Sequence, residues 1–217
     1  MVNPVFLPAL PFADCEFDPV QPWDTNRMEG RRTESVGSMT PYWKAKYRFD
    51  FLRREQLGKV DAFVMQAGGD GETFLAYDVS RPRPIAHDTG EPLFLPKAGG
   101  GVFNGEATLQ EIVDSRTLVV SGLPANFQLS AGDYLEVRQS ILVRSLHRIM
   151  ADATANGSGV VTLSIKYGLD LNVFTTDAII DFERPSCLMQ IDPGSWSASK
   201  AMNARTPSFS ATEVFPA

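Results

Sequence analysis

From Gly105 onward the chain is punctuated by turn residues at intervals of roughly ten. GEATLQEIV, TLVVSGLP, DYLEVR, SILVRSLHRIM and GVVTLSI are short runs rich in β-branched, aromatic and aliphatic residues. A strand of about five residues and its turn fill such an interval, whereas an amphipathic helix needs a longer uninterrupted apolar period. The cadence restricts residues 105–182 to a small antiparallel β-barrel or sandwich. Within it, LSAGDYLEVR (Leu129–Arg138) reads as a strand, a tight Ala-Gly-Asp turn and a second strand. Tyr134, Glu136 and Arg138 are expected on one face of that second strand, with Leu135 and Val137 on the other. Gly132 and Asp133 supply turn conformations that β-branched residues resist.

The preceding half of the chain carries both periods. Tyr42–Leu52 alternates Tyr47, Phe49 and Phe51 with Lys46, Arg48 and Asp50, the pattern of a half-buried strand. The following residues place Leu57, Val60, Phe63, Val64 and Ala67 at helical spacing and end in Gly68-Gly69, which predicts a helix over 54–67. A Gly-Asp-Gly-Glu turn, the strand ETFLAYD and the segment Arg81-Pro82-Arg83-Pro84 follow, and the prolines end regular structure. Residues 89–104 shift to Pro, Gly, Asp and Asn, as a linker does. Beyond the module, AIIDFERPSCLMQI is β-like and broken by Pro185. The expected organisation is a β domain over 1–88 containing the helix, a linker over 89–104, a β-barrel-like module over 105–182, and a return segment over 183–217 that pairs with the first domain. The predicted fold class is therefore mainly β: an antiparallel β-sandwich domain with one α-helix plus a small inserted β-barrel or sandwich module.

Catalytic vocabulary is sparse. The chain has two histidines, His87 and His147, too few for a metal site built on several. His147 reads as a packed core histidine, and His87 beside Asp88 is an acid–base pair without a constellation around it. Gly157-Ser158-Gly159 sits inside a hairpin turn, unlike a nucleophile elbow, and the glycine runs match no phosphate-binding pattern. Cys15 and Cys187 fit neither a metal knuckle nor a CxxC and read as buried thiols, their pairing open. No catalytic residue, metal or other cofactor is expected, and the chain is not expected to be an enzyme. The net charge of −6 opposes nucleic-acid binding, and the apolar N-terminal stretch is interrupted by three prolines, so no membrane span is expected.

One stretch departs from the acidic average. Arg27, Arg31, Arg32, Lys44, Lys46 and Arg48 crowd a segment whose acids are Glu29 and Glu34, and Trp23, Tyr42 and Trp43 are large amphipathic side chains of the kind that anchor interfaces. These nine residues are the candidate subunit contact. The competing reading places the aromatics in this chain's own core and the charges in solvent.

The order W-x-x-N-R-M-E-G-R-R, Y-W-K-A-K-Y-R-F-D-F, A-F-V-M-Q-A-G-G and E-T-F-L-A-Y-D-x-x-R-P-R-P within residues 23–85 resembles the distal tail proteins of long-tailed bacteriophages and gene transfer agents. G-L-P-A-N-F-x-L-x-A-G-D-Y-L-E-V-R, followed by N-G-S-G-V-V-T-L-S-I, is similar to the small β-domain such proteins carry. The resemblance implies a structural virion protein at the tail tip, made in the cytoplasm of the host bacterium. It implies a hexameric ring that joins the tail tube protein to the hub or baseplate proteins. The long C-terminal carbohydrate-binding domain of larger members is not seen, so direct host binding is not implied. The alternative from the residues is a carbohydrate-binding β-module for host attachment, suggested by Tyr134 or Trp196 as sugar-stacking aromatics.

Overall fold

The computed structural model describes residues 4–37, 40–69, 72–198 and 205–215. Its strands in the first part of the chain are β1 (Val5–Phe6), β2 (Phe12–Val20), β3 (Trp23–Arg27), β4 (Thr33–Gly37) and β5 (Tyr42–Phe49), followed by α1 (Arg54–Ala67) and β6 (Phe74–Ala76). Then come β7 (Leu95–Pro96), β8 (Val102–Phe103), β9 (Glu106–Asp114), β10 (Thr117–Ser121), β11 (Gln128–Leu129) and β12 (Tyr134–Arg138). The rest are β13 (Arg144–Arg148), β14 (Ala153–Thr154), β15 (Val161–Ser164), β16 (Ile179–Asp181), β17 (Cys187–Ile191) and β18 (Ser208–Glu213). The protein is mainly β and mostly antiparallel, with one α-helix, as the residue patterns predict. The chain forms two compact units. One combines Pro8–Thr73 with Met189–Val214, and the other is built mainly from Phe74–Leu188.

In the helix-bearing unit β5 is the central strand, paired antiparallel with β2 on one side and β18 on the other. Its alternation is realised in space: Trp43, Ala45, Tyr47 and Phe49 are buried while Lys44, Lys46 and Arg48 are exposed. The helix lays Leu57, Val60, Phe63 and Ala67 into the same core, with the Phe63 ring 5.8 Å from that of Phe209, itself 5.4 Å from Tyr47. Each such large apolar side chain, removed from water, contributes about 1.5–3 kcal/mol before entropy is subtracted. Gln56 turns back to accept the Arg53 N–H at 2.9 Å and so supports the start of α1. The strand ends before Phe51, which is 66% exposed although the alternation predicts it buried. Asp50 Oδ1 accepts the Phe51 N–H at 2.8 Å, a local bond that bends the chain out of the ladder and leaves Leu52 to fill the core. Asp70 and Gly71 of the expected turn lie outside the described residues.

The second unit is a six-stranded antiparallel sheet in the order β13–β12–β16–β9–β10–β15. Just beyond its two end strands, Ile149 pairs with Ile165 and the Met150 N–H reaches the Ser164 carbonyl at 2.9 Å. The sheet therefore curls until its edges meet at one end, which removes exposed edge there. Phe103, Leu109, Leu118, Val120, Leu135, Val137, Ile180 and Phe182 fill the interior. The two strands of LSAGDYLEVR do not pair with each other: β11 joins β14, whereas β12 lies between β13 and β16. Gly132, at φ +95°, provides the corner that separates them. Residues 89–104, expected as a linker, belong to this unit instead. Leu93 and Phe103 sit in its core, and β7 pairs with β8. The division of the chain falls at Thr73/Phe74 and Leu188/Met189, away from the boundaries expected at 88–105 and 182–183.

The polar face of β12 is covered as thoroughly as its apolar one. Glu136 is 1% exposed, takes the Arg144 guanidinium at 2.6 Å and accepts the Ser186 N–H and hydroxyl at 2.8 and 2.9 Å. Tyr134 lies between the guanidinium groups of Arg81 and Arg148, 4.8 and 5.0 Å from its ring, and donates its hydroxyl to Asp78. Arg83 grips Glu183 with two nitrogens, at 3.1 and 2.7 Å, and Asp88 with a third at 2.9 Å. The Arg-Pro-Arg-Pro segment is thus a strap: its prolines keep it out of the sheet and its arginines fasten it to the barrel. Removing one partner of a buried pair strands the other charge, at a cost of about 3–5 kcal/mol. Arg83→Ala is expected to destabilise this unit by about that amount in urea denaturation. Arg83→Lys is expected to recover little, because an ammonium cannot reproduce the forked contact.

Glu213 is an isolated buried acid in the helix-bearing unit, where its carboxylate accepts the Trp43 N–H at 2.9 Å. Burial raises its pKa to about 7, with the Trp43 hydrogen bond opposing the rise. The folded form therefore holds the proton more tightly than the unfolded chain. This stability is fully present below about pH 4.5 and is lost as pH climbs through 7, reaching about 3 kcal/mol. Glu213→Gln, which keeps an acceptor for Trp43, is expected to match the parent melting temperature near pH 5 and exceed it at pH 8.

Candidate functional site: an exposed hairpin and its charged strand

Antiparallel pairing of β2 with β5 ends at Val20 opposite Tyr42, and the two chains continue outward as β3 and β4. Their register runs from Trp23 opposite Gly37 to Arg27 opposite Thr33. Every residue of both strands is exposed. The tip is a tight turn in which the Met28 N–H bonds the Arg32 carbonyl at 2.9 Å and Arg31 takes a left-handed φ of 61°. A two-stranded hairpin packed against nothing is marginal in water.

Both faces offer something to bury. Trp23, 65% exposed, projects with Thr25 and Arg27 from one face, and Val36, 67% exposed, from the other. Met28 is exposed at the tip. Among the described residues, Arg27, Arg31 and Arg32 form no ion pair. Three of the other candidates are engaged within the chain. Lys46 pairs with Glu16 at 3.3 Å, Arg48 lies 3.7 Å from Asp14, and Trp43 is 4% exposed with its ring 5.5 Å from Phe17. Lys44 stands opposite Asp18, and Tyr42 is half-buried. The exposed lysine and arginine pairs contribute at most about 1 kcal/mol each, but they neutralise the surface on which they lie. The candidate contact thus contracts to the hairpin, Trp23 with Arg27, Arg31 and Arg32, and gains Met28 and Val36. A lone valine in a polar segment carries no periodicity, so Val36 gives no sequence signal.

β2 is the outermost strand of its sheet. Asp14, Glu16 and Asp18 point from it, Pro19 lacks a donor, and the register shifts between Phe12 and Asp14. Charge, proline and irregularity are the devices that discourage indiscriminate edge pairing.

The side chains weighed for catalysis are otherwise occupied. The His87 ring stacks on Phe127 at 4.0 Å with Nε2 accepting the Gln128 N–H at 3.2 Å, and burial lowers its pKa. Asp88 serves Arg83 and the Gly90 N–H. His147 is fully buried, 2.8 Å from the Ser145 hydroxyl, and desolvation lowers its pKa to about 4. Among the described residues no three His, Cys, Asp or Glu side chains converge as metal ligands, and no helix is long and apolar enough to cross a membrane. Cys187 is buried and Cys15 half-buried, both as thiols. Tyr134, proposed as a sugar platform, is buried beneath two arginines.

The two candidate tryptophans are expected to respond differently to truncation. Trp23→Ala should change the melting temperature of the dispersed chain by no more than about 0.5 kcal/mol equivalent, whereas Trp43→Ala should cost about 3–5 kcal/mol. Compared with known proteins, the sequence matches no protein-family model and no curated protein.

Proposed function

We propose that the chain is a structural subunit of a long-tailed phage tail tip, closing as a hexameric ring that joins the tail tube to the hub or baseplate, and that it performs no catalysis. The observation that carries this reading is the β3–β4 hairpin, exposed along its whole length and carrying Trp23 on one face and Val36 on the other. In a ring each copy uses one surface to contact the next and a different surface to be contacted, so a projecting arm fits closure by rotation. Trp23 and three arginines without an ion pair among the described residues are the residue types that dominate interface energetics.

The reading is tested by light scattering on the purified chain and by electron microscopy of native particles labelled on it. A hexamer is expected, with the label in a ring at the tail tip. Replacing residues 24–36 by an Asn-Gly turn should leave the melting temperature nearly unchanged and convert the assembly to monomers. A persistent monomer that is also missing from particle tails sinks the proposal.

A further inference from the structure

In the helix-bearing unit a half-open cavity of about 500 Å3 lies among the end of α1, β17, the turn after it and β18. Its lining includes Gln190, Asp192, Trp196 and Thr212, together with Gly68 and Val64 at the helix end. The volume falls within the range of small-molecule sites.

Three features of this cavity share one electrostatic sign. Asp192 is held rigidly, accepting the Ser210 hydroxyl at 2.5 Å on one oxygen and the Thr212 hydroxyl at 2.7 Å on the other. A carboxylate offers about four acceptor positions, so two hydroxyl donors leave both oxygens able to accept again. Among the described residues no lysine, arginine or histidine lines the cavity, and Asp192 forms no ion pair. The second feature is the carboxyl end of α1, where carbonyl dipoles accumulate negative potential and the last turn contains no basic residue to offset it. The third is Trp196, half-buried in the wall, whose ring face carries negative charge density. Gln190 adds an amide whose side chain has no hydrogen-bond partner among the described residues.

We infer that this cavity is a binding site for an organic cation, an ammonium or guanidinium group on a short aliphatic body. The cation meets the Asp192 carboxylate and the Gln190 carbonyl, Trp196 receives the alkyl portion and the cation over its ring, and the helix end adds a favourable field. An indole face is the best of the aromatic surfaces for such a contact. A neutral sugar would use Trp196 and Gln190 equally well but would gain nothing from the Asp192 charge.

The test follows the indole N–H resonance of Trp196 in the full chain, assigned by its loss in Trp196→Phe. Cadaverine and Nα-acetyl-lysine methylamide carry the same ammonium, one as a free amine and one as a protein side chain presents it. Saturation by either, at about millimolar concentration, is the expected result, and the tighter of the two identifies the source the cavity accommodates. Asp192→Asn should weaken binding about tenfold or more. Gln190→Lys, which supplies a cation in place, should abolish it while leaving the thermal melt intact. The inference is overturned by no saturation, by an equal response to the neutral Nα,Nε-diacetyl-lysine methylamide or to galactose, or by undiminished binding in Asp192→Asn.

Discussion

The helix-bearing unit depends on a strand that needs neighbours on both sides. β5 donates and accepts along both edges, and the aromatic face it presents is completed by residues from two distant parts of the chain. Phe17 and Phe12 come from β2, and Phe209 comes from β18. Because the side-chain period of a strand is two, one register error on either side would send Tyr47 and Phe49 to water and Lys46 and Arg48 to the core. The exposed ion pairs of Lys46 with Glu16 and Arg48 with Asp14 contribute little energy, yet they penalise that slip because it would break both at once.

The barrel unit solves a different problem. Its strand β12 has an ordinary apolar face and a second face of Tyr134, Glu136 and Arg138 that is also withdrawn from solvent. Buried charges add little to net stability, but they are demanding about partners, since each misplaced arginine leaves an acid unsatisfied. Residues 78–88 meet that demand with a segment unable to become strand or helix. Proline excludes regular structure there, and the arginines determine where the strap must lie.

What could be read from the sequence was periodic. The alternation of Tyr42–Phe49, the 54–67 helix and the turn-spaced strands beyond Gly105 each repeat a local rule several times, and repetition overwhelms single exceptions. Phe51 breaks the alternation because one Asp50 hydrogen bond bends the chain where the strand ends, an event decided by a single side chain. Residues 89–104 looked like a linker because glycine and proline report backbone conformation, whereas membership of a core depends on where Leu93 and Phe103 land. Of the candidate contact residues, the basic cluster was visible as composition, but its division into paired strand charges and unpaired hairpin arginines depends on cross-strand neighbours. The cavity at Trp196 brings together residues from α1, β17 and β18, and no window on the sequence contains them all.

The return of β18 to β5 across some 160 intervening positions has a consequence for synthesis. Nearly all residues of the barrel unit lie in one continuous stretch, so that unit can complete its sheet as soon as Leu188 leaves the ribosome. β5 must wait with one edge open until Ser208–Glu213 is translated. Until then the platform from which the hairpin projects is unfinished. Chain topology thereby acts as a timer that sets the order in which the two units can be completed.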